Sequence, residues 1–327
     1  MRGSKAGKRV GAGTDDVRLP RITLVVPSYN QAGYLRAALA SIVDQGYPDL
    51  ELIVMDGGST DGSVAVVEEH AAAISYWQSQ PDGGQSAALA AGFARATGEV
   101  LGWLNSDDLL RPGALQAVGR AFADDPGLQW AYGDSLLVGA DGEVLDVQPT
   151  VQVSSAELAS LRVYLPQEST FFRRSLYERV GGVRTDLHFA MDYDLWLRFA
   201  EVAPPRHLPV VLGAFRLLPG QKSADVAGYQ AEEDAAKARY AGPRVPADQL
   251  RSAARRLRAR QIAARLRAQG LAASWRLPVK AVGTLTGSRP QINASRPMAV
   301  GVLVAWGGGA LGVLAAAAAV FRRSRRR

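Results

Sequence analysis

Four short apolar runs, each followed by polar residues and then by a stretch of helical spacing, limit what this chain can fold into. Ile22-Thr-Leu-Val-Val26 runs into Pro27-Ser28-Tyr29-Asn30, and the run from Leu50 to Met55 ends in Asp56-Gly-Gly-Ser-Thr-Asp61. Ile74 to Trp77 leads to the turn Pro81-Asp82-Gly-Gly84, and Val100-Leu-Gly-Trp-Leu104 leads into Asn105-Ser-Asp107-Asp108. Continuous apolar runs of this length suit strands buried on both faces. Between them, Leu35, Leu39, Ile42 and Val43 fall at helical spacing until Gly46 and Pro48 stop the helix, and 64–70 and the alanine-rich 85–96 read as two further helices. Strand and helix alternating in this way predict a doubly wound, mostly parallel α/β sheet. Ligands bind at the carboxyl ends of the strands in such sheets. Asn30, Asp56 and Asp107 are therefore expected to line one crevice, although they are far apart in the chain.

The fourth run carries the chemistry. A buried strand that ends in Asn105-Ser-Asp107-Asp108 holds two carboxylates rigidly at one edge. Such a pair repels itself unless a cation or a ligand proton lies between, which points to a metal or a nucleotide. The competing reading is helix capping, with Pro112 suited to a first-turn position. Capping needs only one acid.

Beyond Asp108 the pattern is less regular. It predicts a helix over 114–123, a strand over 130–133, and a hairpin of 136–138 with 143–147 through Gly139-Ala-Asp-Gly142. Residues 150–165 read as helical or irregular, 167–172 as a strand and 175–180 as a short helix. Asp192-Tyr-Asp194 precedes a helix over 195–202, and 208–215 is the last strand. This mixed half is expected to bind the second substrate. No internal repeat is present.

The 327 residues are enough for one large domain or two small ones, and 47% hydrophobic residues allow a sizeable core. The chain has no cysteine, which excludes disulfides and cysteine-ligated zinc. His70, His188 and His207 share no ligand spacing. The net charge of +7 conceals an asymmetry: of 38 Lys plus Arg, 16 lie from Arg251 onward, where there is no acid, leaving 22 against 31 acidic residues before it. A tail of this charge favours anionic lipid or nucleic acid, the latter only if residues 298–321 are not membrane-inserted, and no nucleic acid is expected. Residues 1–19 form a short basic arm without an apolar run, unlike a secretory leader.

In order, Leu24-Val-Val-Pro-Ser-Tyr-Asn30, Met55-Asp-Gly-Gly-Ser-Thr-Asp-Gly62, Trp103-Leu-Asn-Ser-Asp-Asp108 and Met191-Asp-Tyr-Asp-Leu-Trp-Leu-Arg198 resemble family 2 of the nucleotide-sugar glycosyltransferases, which have the GT-A fold. The resemblance covers about residues 20 to 220. It implies that Pro27, Ser28, Tyr29, Asn30 and Asp56 hold the base and ribose, and that Asp82 and Asn105 also face the nucleotide sugar. Asp107 would bind a divalent cation, Mg or Mn, on the donor diphosphate. Asp192 would be the general base on the acceptor hydroxyl in a single inverting displacement. Gln167, Asp194, Trp196, Arg216 and Lys222 are candidates for acceptor or phosphate contacts. From the residues alone, Asp192 also suits an N-cap and Asp194 a first-turn acid that offsets the helix dipole.

Two departures from the family pattern stand out. The acid-x-acid motif begins with Asn105, so Asp107 would carry most of the metal binding. Leu218 occupies the place after the final strand where many relatives have a histidine, so Arg216 or Lys222 would take up phosphate charge. The Gln-x-x-Arg-Trp signature of processive synthases is absent, which favours transfer of a single sugar. The resemblance implies a metal-dependent enzyme acting on a nucleotide-diphosphate sugar, a UDP-sugar in the first instance. The acceptor would be a glycan or lipid-linked, in cell-envelope or surface polysaccharide synthesis. A dinucleotide oxidoreductase is disfavoured because the first turn lacks the glycine fingerprint. A catalytically inactive nucleotide-sugar-binding or scaffold protein is the other alternative, kept open by Asn105 and Leu218.

The expected organisation is a basic arm (1–19), a glycosyltransferase domain (20–240) with nucleotide-binding (20–110) and acceptor-binding (111–240) halves, a basic helical linker (241–297), a membrane helix (298–321) and a basic tail (322–327). Met298 to Phe321 is 24 residues without a charge, about 36 Å as a helix against a hydrocarbon core of about 30 Å. Basic residues flank it almost equally, so the positive-inside rule does not orient it. Nucleotide sugars are cytosolic, which would keep the catalytic domain in the cytoplasm at the membrane. Residues 251–267 suit either a membrane surface or a basic helix packed on the acidic domain.

Overall fold

The computed structural model describes residues 18–274, with side chains to residue 268. The N-terminal arm before residue 18, residues 275–297, the uncharged run 298–321 and the basic tail 322–327 lie outside the described residues. Among those described, no helix is long and apolar enough to cross a membrane.

The first half alternates as expected: β1 (Ile22–Ser28), α1 (Ala32–Val43), β2 (Leu50–Asp56), α2 (Ser63–Glu69), β3 (Tyr76–Ser79), α3 (Gln85–Phe93) and β4 (Val100–Trp103). There follow β5 (Leu109–Leu110), α4 (Ala114–Asp124), β6 (Trp130–Val138), β7 (Val144–Gln148), α5 (Ser155–Ser160), β8 (Thr170–Arg173), α6 (Arg174–Arg179), α7 (Met191–Val202), β9 (Arg206–Arg216), α8 (Val226–Arg239) and α9 (Leu250–Ser274). The strands make one sheet in the order β3-β2-β1-β4-β8-β6-β9-β5, and β7 also pairs with β6. β1 to β4 are mutually parallel where they pair. β8 then runs antiparallel to both β4 and β6, and β9 runs parallel to β6. The fold is thus a mixed α/β sheet, with its regular parallel part confined to the first half.

Alternation along β1 and β2 explains why their sequences are apolar throughout. Leu24, Val26, Leu52 and Val54 enter the core on one side of the sheet, with Leu35, Leu39 and Ile42 of α1 and Leu115, Val118 and Phe122 of α4. Val25, Ile53 and Met55 enter the core on the other side, with Leu89 and Phe93 of α3 and Leu195, Trp196 and Phe199 of α7. Successive side chains of a strand point to opposite faces, so a strand covered on both faces has no polar alternation.

The second half departs from the sequence reading at several points. Residues 130–138 are one irregular strand, not a strand plus a hairpin arm, because register shifts against β9 absorb the Gly133 interruption. β5 and α8 were not expected. Gln167–Ser169 is a single 3-10 turn before β8. The basic helix expected over 251–267 exists as α9, but it is not a free linker. Its Ala253 and Leu257 belong to the main core cluster, and Arg260 and Arg265 pair with Glu157 and Asp146. Of the two readings of that helix, packing on the domain describes its inner face.

Gly102 shows why the organising strand needs a glycine. A Cβ there would lie 2.8 and 2.9 Å from ring carbons of Phe171, closer than packed atoms tolerate. Gly102→Ala is expected to lower unfolding free energy by about 1–3 kcal/mol, the usual cost of overpacking. Denaturant titration checks this, and an unchanged midpoint would contradict it.

Candidate active site

The carboxyl ends of β1, β2 and β4 are neighbours, since Ser28 pairs with Asp56 and Val25 with Trp103. The chain visits β2 and β3 on one side of β1 and then crosses to β4 on the other. The crevice between β1 and β4 is therefore the topological switch point where such sheets bind ligands.

On the β1–β2 side, Asn30 takes a left-handed backbone (φ 51°), a conformation that Asn tolerates better than most residues. Its Oδ1 accepts from Thr60 N at 2.9 Å and its own N donates to Ser59 Oγ at 2.8 Å. Asp56 is buried and its carboxylate accepts from Gly58 N, Ser59 N, Ser59 Oγ and Ser79 Oγ, at 3.1, 2.8, 2.5 and 2.6 Å. Four bonds match the acceptor sites of a carboxylate, so Asp56 shapes the 57–60 loop. Gly57 lies between two other candidates: a Cβ there would be 3.3 Å from the Asp82 carboxylate and 3.3 Å from the Tyr29 ring. Tyr29 is 64% exposed, so its ring is free to meet a ligand. Pro27 and Ser28 are buried at the strand end, and Ser28 Oγ has no partner among the described residues.

On the β4 side, Asn105 is a hydrogen-bond hub. Its Oδ1 accepts from Gln85 Nε2 at 2.7 Å, and its Nδ2 donates to Gln167 Oε1 at 3.0 Å and Asp108 Oδ2 at 3.1 Å. An amide can donate and accept in this way, which an aspartate could not. Gln167 in turn donates to Trp103 O at 2.7 Å. The two adjacent acids have different environments. Asp108 is buried and also accepts from Arg216 N at 2.9 Å. Burial, then the charges of Asp107 and Glu168, push its carboxyl well above the usual range. Asp107 is only half-buried, and its recorded side-chain partner is Gln221 Nε2 at 3.3 Å. Burial also raises its pKa. Capping explains neither acid, because α4 has Gly113 at its N-cap and no side-chain cap.

Several candidates prove to be structural. The Arg216 guanidinium donates to Asp107 O, Gly139 O and Ala140 O at 2.7, 3.2 and 2.7 Å and is buried, leaving little for a phosphate. Asp194 is buried between Arg198 and Arg239, at 2.8 and 3.0 Å. Trp196 is stacked on Trp103 and Trp130 at 5.4 and 5.8 Å. Lys222 is half-buried, its Nζ donating to Gln85 Oε1 at 3.2 Å, and burial lowers its pKa.

Asp192 lies in the first turn of α7, whose N-cap is Ala190, so it is not the cap. Its Oδ1 accepts from Tyr193 N at 2.7 Å and from Tyr229 Oη at 3.5 Å. Burial pushes its carboxyl up to about 6. It lines a shallow depression with Tyr164, Trp196 and Tyr229. Gln221 at Asp107 and Lys222, whose charge acts on Asp192, place one short segment between the two carboxylates.

Three polar residues near the site were not singled out in the sequence. Gln221 stands beside Asp107, whereas Leu218 does not supply a polar group there. Glu168 is buried, hydrogen-bonded by Ser135, and pushed by burial up to about 7. Glu232 of α8 accepts from the N–H groups of His188, Phe189 and Ala190, each at 2.8 Å. Burial alone would raise its pKa, but these three donors hold it below the usual range. Nothing in local spacing marks these residues, since their partners are tens of positions away.

Among the described residues no group of three or more His, Cys, Asp or Glu is arranged to hold a metal. The donor set still fits a hard divalent cation, because Mg is commonly bound through one or two carboxylates and completed by waters and substrate phosphates. Asp107, with one weak side-chain partner, is the available carboxylate, whereas Asp108 is engaged.

A family model described as Glycosyl transferase family 2 matches residues 23–132. An uncharacterized glycosyltransferase of Mycobacterium tuberculosis is 32% identical over 200 residues, covering 60% of this chain and 75% of that protein. A chondroitin synthase of Pasteurella multocida is 28% identical over 193 residues, covering 58% of this chain and 20% of that protein. The mannosyltransferase PcManGT of Pyrobaculum calidifontis, solved with GDP-Man and Mn2+, superposes with a TM-score of 0.53 at 21% identity, covering 93% of this chain and 81% of that one. S. aureus TarS 1–349, solved with UDP-GlcNAc, gives a TM-score of 0.53 at 16% identity, covering 80% and 78%. Matched in sequence over most of the mycobacterial protein and in fold to GT-A enzymes, the chain belongs to glycosyltransferase family 2.

Proposed function

We propose that this glycosyltransferase moves a single sugar, with inversion, from a nucleotide-diphosphate sugar to a hydroxyl of a glycan or lipid-linked acceptor in cell-envelope or surface polysaccharide synthesis. The observation that carries the proposal is Asp192: a half-buried carboxylate with a pKa near 6, across the Gln221–Lys222 segment from Asp107. A general base works best with a pKa near the operating pH. In this reading residues 20–110 bind the nucleotide and residues 111–240 the acceptor. UDP-sugars are the first donors to test; among the neighbours in fold, TarS was solved with UDP-GlcNAc and PcManGT with GDP-Man. The chondroitin and hyaluronan synthases of Pasteurella multocida among the relatives support a glycan acceptor. Membrane association through 298–321 belongs to the same proposal, with the domain on the cytoplasmic side.

The mechanism follows from the residues. The base and ribose lie at the β1 and β2 ends, against Tyr29, Gly57 and Asp82. Asp107 would hold Mg or Mn, which neutralises charge on the leaving diphosphate. The acceptor hydroxyl binds in the depression beside Asp192. As its oxygen attacks the anomeric carbon from the face opposite the diphosphate, its proton passes to the Asp192 carboxylate and the carbon–oxygen bond to the diphosphate breaks. Glu232 fixes the entry to α7 through three backbone donors and so aims Asp192. Tyr229 orients the carboxylate from the same helix, α8.

Asp107→Ala is expected to abolish the part of nucleotide-diphosphate affinity that depends on Mn while leaving the fold intact. Calorimetric titration with and without Mn checks this, and unchanged metal-dependent affinity would reject the assignment.

Asp192→Asn is expected to keep donor affinity and to lower turnover about a hundredfold or more. Turnover of the unaltered enzyme should fall about tenfold per pH unit below about 6, where Asp192 is protonated. The stability effect has a defined sign. The folded pKa is raised, so the group's contribution is full at pH below the unfolded value and is lost as pH rises through about 6. The Asn variant should therefore be at least as stable as the parent at pH 8, whereas a purely structural Asp192 predicts a less stable variant. A pH–rate profile and paired melting curves decide it. Absence of turnover in the parent with every hydrolysable donor would favour the inactive binding protein.

Glu232→Ala is expected to lower kcat by about ten- to a hundredfold through loss of aim at Asp192, with donor KM unchanged. Glu232→Gln, which keeps one acceptor oxygen, should recover part of the loss. A parallel rise in donor KM would show a general disturbance.

A further inference from the structure

The two faces of α9 differ in kind. Ala253, Leu257 and Ala264 are buried against the domain, and Arg260 and Arg265 reach the acids Glu157 and Asp146. Arg251, Arg255, Arg258, Ile262 and Leu266 follow at steps of four, three, four and four residues, which puts them on one outward stripe. The three arginines are exposed and pair with no carboxylate among the described residues. Ile262 is 53% and Leu266 64% exposed, values unusual for large apolar side chains on a face that only meets water. The edge strand β7 adjoins this helix, and its Asp146 meets Arg265. The face is thus basic along its first half and apolar along its second.

We propose that this α9 face rests on an anionic lipid surface, with the arginines at the headgroups and Ile262 and Leu266 at the acyl boundary. Charge complementarity favours this occupant: no acid occurs from Arg251 to the end of the chain. So does the course of the chain, since the described part of α9 reaches Ser274 and the uncharged 298–321 run begins after 23 further residues. The docking has a catalytic consequence. Gln261 of α9 and Gln148 of β7 line a depression whose Val163 and Tyr164 also line the one that contains Asp192. A face laid on lipid would set the acceptor side of the enzyme beside the bilayer, which favours an acceptor carried on a lipid. The inference rests on the membrane association and acceptor side proposed above.

The chain has no cysteine, so Ile262→Cys provides a unique thiol for an environment-sensitive fluorophore on the full-length protein. Glu68→Cys on α2, which packs at the other end of the sheet, is the reference. Vesicles of phosphatidylcholine, with or without phosphatidylglycerol, are the probe, with co-sedimentation measured in parallel. The expected result is a blue shift at position 262 with the anionic vesicles only, weakened by salt, and no shift at 68. Combined Arg251→Glu, Arg255→Glu and Arg258→Glu should reduce the lipid-dependent shift on the order of tenfold or more. Co-sedimentation without a shift at 262 would overturn the docking of this face and leave membrane association through 298–321 standing. A blue-shifted label before lipid is added would mean that the chain's own apolar run covers the face, which also overturns it. No co-sedimentation at all would reject the membrane reading itself.

Discussion

Trp196 stands between Trp103 and Trp130, with ring centroids 5.4 and 5.8 Å away and nearly parallel planes. Trp103 ends β4, two residues before Asn105. Trp196 lies one turn after Asp192 on the same face of α7. The stack therefore joins the strand that presents Asp107 to the helix that presents Asp192. Phe172 closes it edge-on and Phe199 at a tilt, 5.9 and 5.6 Å from Trp196. Aromatic pairs contribute about 0.5–1.5 kcal/mol each beyond buried area, and the larger effect here is geometric. Two carboxylates 85 residues apart in the chain are tied to one another through this shared stack.

Around that stack the protein keeps acids where acids are costly. Asp108 and Glu168 are both buried, and desolvation is the main cause of their raised pKa values. Each is held by a donor from a distant strand: Arg216 N for Asp108 and the Ser135 hydroxyl for Glu168. Buried polar groups are tolerable when their partners are supplied, and these partners come from β9 and β6. Asp108 thus ties the first half of the chain to the second, and Glu168 joins two elements of the second half. Asp107, one residue away but half-exposed, is the acid left free to act.

The sequence makes the first half legible because its strands are buried on both faces and read as uninterrupted apolar runs. The polar ends of β1, β2 and β4 follow at once from that reading. Individual roles were harder to see. Asp56 satisfies itself within its own loop, Asp194 is locked by Arg198 and Arg239, and Arg216 is consumed by backbone carbonyls. Arg239 and the carbonyls of Asp107, Gly139 and Ala140 lie 45 to 109 positions from the residues they hold, beyond any local pattern. The α5 start was readable, since Ser154 and Glu157 form a capping box that lies within the segment taken as helical or irregular. The reversal of direction at β8 left no signal, because antiparallel and parallel strands with both faces covered are equally apolar.

The position of β9 bears on how the chain must fold. Among the described residues this strand is the last in sequence, yet it is inserted between β6 and β5. β5, directly after Asp108, pairs only with β9, and Arg216 at the end of β9 binds the Asp107 carbonyl. Until about residue 216 has left the ribosome, the segment carrying Asp107 and Asp108 has no strand to join. The site assembles late, by contacts of high sequence separation, and such closures are intrinsically slow. The first half is therefore no autonomous folding unit: the edge that carries Asp107 and Asp108 is completed by β9 of the second half.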